Sequence, residues 1–271
     1  MKARIKFSKT GSMRFIGHLD VMRYFQKAFR RAGIKVSYSQ GFSPHQLMSF
    51  TSPLGIGLSS DAEYLDITLD ETDEPDVMLE KINGAMNSEI KVKAFTLLED
   101  EAKPSMAMLA ACDYLVAVKP GKDNAFTDSA FRKEVIDRLM KKSAIEIVKK
   151  TKKSEKLVDI KENIYVISDN MEEFAKLTGN TYGELCVNPE CIPVMYCQLT
   201  AGSVVNIKPE LVMESLCTEA GVEFNPLDYQ IHRLEMYGDA DGKKGEIHTK
   251  TSEIPCRLIP MSEYDKKGQK S

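Results

Sequence analysis

A chain of 271 residues with 42% hydrophobic content is long enough for two ordinary domains, each with its own core. No stretch reaches the roughly 18 consecutive apolar residues of a membrane span, and residues 1–10 carry charge with no apolar run behind them, so neither a membrane-embedded nor a secreted protein is expected. The formal net charge of −3 conceals an asymmetry: residues 1–50 hold ten Lys and Arg against Asp20 alone, and residues 61–110 hold thirteen Asp and Glu against four Lys.

That asymmetry points to an anionic partner for the first segment, or to neutralisation within one domain. Cys112, Cys186, Cys191, Cys197, Cys217 and Cys256 lack the density of a disulfide scaffold and the C-x-x-C pairing of a zinc site. A reducing, cytoplasmic setting without a metal is the expectation.

Residues 2–8 alternate Ala3, Ile5 and Phe7 with Lys2, Arg4 and Lys6, the period-two pattern of a strand with a core face and a basic face. Across residues 18–32, Val21, Phe25, Ala28 and Phe29 recur at helical spacing with Gly33 as the stop, and Arg23, Lys27, Arg30 and Arg31 fall largely on the other side. A strand over 34–39, a Gly/Pro-punctuated loop over 40–57, a strand over 63–69, a helix over 75–86 and a strand over 90–98 follow.

The order β-α-β-β-α-β predicts a ferredoxin-like, split βαβ domain over residues 1–104. Acidic residues and Pro104 mark a junction. Beyond it come a strand over 114–119, a helix over 127–142, a strand over 145–150 and a hairpin of 157–160 with 164–167. A strand over 192–199, a helix over 209–220 and a strand over 229–237 complete the series. Residues 105–238 therefore predict a second ferredoxin-like domain with an insertion, giving an α+β protein of two tandem units. Residues 239–271, rich in Lys, Gly, Asp and Ser, are expected to be a charged, disordered tail.

The runs Arg14-Phe15-Ile16-Gly17-His18-Leu19-Asp20, Arg30-Arg31-Ala32-Gly33 and Tyr38-Ser39-Gln40-Gly41-Phe42-Ser43-Pro44-His45, with Pro53-Leu54-Gly55 and Leu199-Thr200-Ala201-Gly202-Ser203, carry a family likeness. In these the chain resembles the bacterial radical SAM-linked family, a domain of unknown function. The resemblance implies a separate partner, a radical SAM protein with a cobalamin-binding-type domain, and a translation or RNA-related setting. It supplies no catalytic residues. The chain has no cluster-binding cysteine run of its own.

Chemistry then rests on few groups. His18 and His45, with Asp20 near the first, are the candidates for acid–base work on RNA, against a reading in which His18 and Asp20 assist the helix start and His45 is a bonded loop residue. Arg14, Arg23, Lys27, Arg30 and Arg31 suit phosphates, and Tyr24, Tyr38 or Phe42 suit an unpaired base. Arg14, His18 and His45 are expected together at one end of the first domain. Gly11, Gly17, Gly41, Gly55 and Gly57 form neither G-x-G-x-x-G nor a P-loop, so no nucleotide cofactor is expected. An RNA-binding accessory protein is the leading expectation, with an RNA-processing enzyme or a module that binds only the radical SAM partner as alternatives.

Overall fold

The computed structural model describes residues 1–150, 155–242, 249 and 256–267. In chain order the elements are β1 (Lys2–Lys9), α1 (His18–Arg31), β2 (Met48–Phe50), β3 (Ser59–Thr68), α2 (Pro75–Gly84), β4 (Ile90–Leu98), α3 (Ser105–Met108) and β5 (Leu109–Val118). They continue with α4 (Ser129–Lys141), β6 (Glu146–Lys150), β7 (Glu155–Asp159), β8 (Ile164–Ser168), α5 (Met171–Thr178), β9 (Ile192–Thr200), α6 (Pro209–Ala220), β10 (Tyr229–Asp239), β11 (Leu258–Pro260) and α7 (Met261–Lys267). The fold is mixed α+β, with mostly antiparallel strands and helices between them. No helix among the described residues is long and apolar enough to cross a membrane.

Two compact units divide the chain: residues 1–110 with 235–240 and 258–271, and residues 111–234 with 241–257. In the first, strands run in the order β4-β1-β3, β2 pairs with β3, and the last residues of β10 continue the order beyond β3. Ala3, Ile5 and Phe7 of β1 and Leu65 and Ile67 of β3 pack with Val21, Phe25 and Phe29 of α1 and with Ile82 of α2. The predicted apolar stripe of α1 is thus the core stripe. In the second unit, the order is β10-β5-β9-β8, and Leu115, Ala117, Phe174, Tyr196 and Leu234 form a core cluster.

Of the basic face expected on β1, Lys2 is exposed, but Arg4 is buried and Lys6 half-buried. Arg4 and Lys9 are each only 2% exposed. Arg4 Nε donates to Asp66 Oδ1 at 2.7 Å, and Nη2 donates to Asp66 Oδ2 at 3.3 Å and to the Lys103 carbonyl at 3.0 Å. The Ser105 amide also donates to Asp66 Oδ2, at 2.7 Å, and Thr51 Oγ1 donates to Ser105 Oγ at 2.6 Å. Alongside, Lys6 Nζ and the Tyr64 hydroxyl each donate to Glu235 at 2.6 Å. Burial, with the Glu235 charge beside it, holds the Tyr64 phenol well above its usual range.

Three other expectations need correction. Residues 34–39 form no regular strand, because their backbone is shared between two neighbours: Ser37 N donates to Thr68 O and Leu47 N donates to Ser37 O, both at 2.8 Å, leaving isolated bridges Val36↔Leu69 and Tyr38↔Gln46. The regular strand β2 falls inside the stretch expected to be loop. Residues 157–160 do not pair with 164–167: β7 pairs with β6, β8 pairs with β9, and a 3-10 turn at Lys161–Asn163 redirects the chain between them.

The third correction concerns the expected tail. Within it, β11 adds to β10 with Ile259 opposite Gly238, and α7 follows with Met261 fully buried. The apolar run Leu258-Ile259-Pro260-Met261 supplies the surface that a disordered segment lacks. Residues 243–248, 250–255 and 268–271 lie outside the described residues.

Removing one partner of a buried pair strands the other, at a cost of about 3–5 kcal/mol. Asp66→Ala is therefore expected to lower unfolding free energy by about that amount in urea titration. Arg4→Met combined with Asp66→Leu is expected to recover much of the loss, because no buried charge remains.

Candidate nucleic-acid interface

The loop after β1 is fastened to the start of β4. Thr10 N and Oγ1 donate to the Glu89 carbonyl at 2.8 and 3.1 Å. The Glu89 carboxylate accepts from Ser12 N at 3.0 Å, Ser12 Oγ at 2.5 Å and Met13 N at 3.2 Å. These bonds to the charged form lower the Glu89 pKa, with the Ser12 hydroxyl the largest cause. Gly11 makes the turn possible: its φ is +53°, and a Cβ there would sit 2.1 Å from Glu89 Oε1.

The buried Lys9 ammonium holds the far side of this loop by donating to the Ile16 carbonyl at 3.0 Å. Gly57 N donates to the Arg14 carbonyl at 2.8 Å and ties in the loop before β3. The Arg14 guanidinium lies 4.7 Å from the centre of the Phe15 ring. Phe15, Leu19 and Ile56 are all exposed.

Gly17 precedes α1 without any side-chain cap. Neither His18 nor Asp20 makes a capping hydrogen bond, although Asp20 sits in the first turn, where its charge favours the helix dipole. The His18 ring meets Phe50 edge-on at 5.1 Å, in a shallow cleft that Lys9, Glu63, Phe7, Val21, Pro53 and Leu54 also line. Asp20 instead accepts from Arg23 Nη1 at 3.2 Å.

His45 has separate surroundings. Its Nδ1 lies 2.9 Å from Ser39 Oγ, and its amide donates to the same oxygen at 3.1 Å. The strand register places the two histidines apart. The His45 loop leaves the sheet beside Thr68, which pairs with Lys2, whereas Arg14 follows Lys9, the far end of β1. From Lys2 to Lys9 a strand extends about 23 Å. Arg14 and His18 therefore share one end of the unit, and His45 belongs to the other, together with Tyr38 and Phe42.

Along α1, Arg23, Lys27, Arg30 and Arg31 are all exposed. Arg30 donates to the Gln26 carbonyl and Arg31 to the Ala85 carbonyl, so neither is neutralised by these bonds. Lys27 makes no ion pair among the described residues. The Arg23–Asp20 pair is exposed on both sides, where such contacts contribute well under about 1 kcal/mol. No Asp or Glu occurs between residues 21 and 60.

The aromatic candidates differ. The Tyr24 hydroxyl accepts from Asn87 N at 2.7 Å and its ring packs on Phe25, so it is committed to the fold. Phe42 is fully exposed and Tyr38 half exposed, yet their loop borders Ser37, which donates to Asp70, and Lys35, which pairs with Glu71. Phe15 escaped the sequence reading because one aromatic residue in a loop resembles any core anchor; only its place off the Val21-Phe25-Phe29 stripe separates it.

This surface falls inside the part of the chain that a family model matches. A model of the family described as an uncharacterized protein conserved in bacteria, DUF2344, matches residues 2–209. The chain belongs to that family. No curated protein matches it. The DUF2344 match takes in every residue from Arg14 to Phe42 discussed above and ends on the first residue of α6.

Elsewhere, Cys112, Cys197 and Cys217 are buried and not joined in disulfides, and burial, then the Asp113 and Glu210 charges, pushes Cys197 well above the usual thiol range. Among the described residues no group of three or more His, Cys, Asp or Glu is placed to hold a metal ion.

Because the folded Glu89 pKa lies below its ordinary 4.5, its stabilisation is complete above that value and is lost as pH falls through the depressed value. Amide protection at Ser12 and Met13 is expected to drop over that acid range in hydrogen-exchange NMR, and Glu89→Ala is expected to show the low protection at every pH. Gly11→Ala is expected to cost more than the roughly 1–2 kcal/mol penalty for a side chain at positive φ in urea unfolding, because its Cβ also displaces Glu89 from Ser12 and Met13.

Proposed function

We propose that this chain is an RNA-binding accessory protein that works with a separate radical SAM enzyme in an RNA or ribosome-related modification. The observation that carries the RNA part is the outward face of α1: four exposed cations, one weak ion pair, and no acidic residue from 21 to 60. Cations held this way lower their self-repulsion by neutralising phosphates, with release of counterions as the driving force. The radical SAM partner rests on the family resemblance of residues 14–45 and on nothing in the geometry.

A catalytic role for His18 with His45 gains no support, since the register sets them at opposite ends of β1. We also read both units as ferredoxin-like. Setting aside β6, β7 and α5, each follows β-α-β-β-α-β, and each sheet begins with the fourth strand beside the first and the first beside the third. RNA contact through the open face of such a sheet is disfavoured in the first unit, where Arg4, Lys6, Asp66 and Glu235 bond to one another.

One observation favours a module that binds only protein. Phe42 is fully exposed at a loop tip that borders the acidic residues Asp70 and Glu71, a site suited to a protein anchor.

A four-cation contact on single-stranded RNA is expected to give a log affinity versus log salt slope of about −3. Replacing Arg23, Lys27, Arg30 and Arg31 with Gln is expected to flatten it in anisotropy titrations. An unchanged slope, or loss of protein partners from pull-downs with no RNA binding at all, would end the RNA reading.

A further inference from the structure

We infer that the Arg14–Phe15 end of the first unit receives an unpaired nucleotide of single-stranded RNA, with its base on the Phe15 ring and neighbouring phosphates on Arg14, Arg23 and Lys27. This rests on the RNA-binding reading and specifies the kind of RNA. Phe15 is 59% exposed, so its ring offers a surface on which a base can stack. Arg14 has no carboxylate partner among the described residues, and its Nε, shut off from solvent, makes no hydrogen bond. A guanidinium resting against an exposed aromatic ring combines the stacking surface and the cation that single-strand sites use.

The neighbours extend the surface. Leu19 and Ile56 are 59% and 67% exposed, and the Ile56 Cδ1 lies 3.9 Å from where a Cβ on Gly17 would stand, so Ile56 sits against the start of α1. A protein partner could also cover apolar side chains, but the local charge favours a polyanion. Asp20 is bonded to Arg23, Asp61 to Lys93, and Glu89 to the Ser12 and Met13 amides. Glu89 keeps its charge, since neutral donors do not cancel it, but Arg14 and Lys27 outnumber it, so the field stays positive.

A base can lie on Phe15 only if its face is free. Paired RNA stacks its bases inside the helix, whereas loops and single strands expose them. The surface therefore selects unpaired RNA. The loop that presents it is already fastened by Glu89 and Lys9, which reduces the ordering cost on binding.

The test compares a short labelled single strand with a duplex of the same sequence, using the full chain, Phe15→Ala, Phe15→Leu, Phe15→Tyr and Phe42→Ala. The expected result is tighter binding of the single strand, a loss of about tenfold or more for Phe15→Ala and Phe15→Leu, retention in Phe15→Tyr and no change in Phe42→Ala. Phe15→Leu keeps apolar bulk and removes the ring, so it decides the matter if Phe15→Ala is unstable. Equal affinity for strand and duplex, or wild-type binding by Phe15→Leu, overturns the inference and leaves the RNA reading standing. No RNA binding by the unaltered chain overturns both. Loss of a protein partner by Phe15→Leu with RNA affinity unchanged overturns it in favour of protein docking.

Discussion

The Arg4–Asp66 ion pair decides which charges of the N-terminal segment are available. Asp66 accepts from Arg4 and from the Ser105 amide, so a single carboxylate fixes β1 to β3 and brings residues 103–105 over that part of the sheet. With Lys6 committed to Glu235 and the buried Lys9 to the Ile16 carbonyl, Arg4, Lys6 and Lys9 are largely withdrawn from solvent by their own unit. What survives as an external field is the outer side of α1 and Arg14, with exposed Lys2 and a Lys35 that pairs with Glu71. The charge asymmetry of the sequence thus divides into two parts with different jobs, and only the second bears on an anionic partner.

That division follows from register. In β1 the odd positions enter the core formed with α1 and α2, which leaves the even positions on the opposite face. A face of Arg and Lys exposed to water would suit a nucleic acid, but a face covered by other segments must pair every charge it contains. Asp66, Glu235 and the Lys103 carbonyl meet that demand. The helix had no such requirement, because its second side covers nothing.

The elements most legible from sequence were those with one clear period: β1, α1, β4, α6 and β10 lie within a few residues of their expected bounds. The failures have physical causes. The chain over 34–50 makes its hydrogen bonds to two different neighbours, and no local pattern records that. Helix α5 was overlooked although Asn170 accepts from the Glu173 amide and Gly179 closes it at a φ of 67°; its eight residues are too few for periodicity to stand out. The strand β11 needs the partner β10, far away in sequence, so composition alone suggested a tail.

Site residues divide in the same way. Exposure of Arg23, Lys27, Arg30 and Arg31 follows from the stripe opposite Val21, Phe25 and Phe29, and could be read directly. The grouping of Arg14 and His18 with His45 could not, because flanking the same strand-helix-strand unit does not say which end a loop occupies. Thr68 paired with Lys2, and Lys9 paired with Ser60, set the ends. Once they are set, Arg14, Phe15 and the first turns of α1 lie at the end reached through Lys9, while α1 carries Arg30 and Arg31 back toward Lys35, and Phe42 and Tyr38 lie near Asp70 and Glu71 at that other end. A base-stacking site at the Phe15 end and a protein anchor at the Phe42 end would therefore use different side chains, while the cations of α1 span the distance between them.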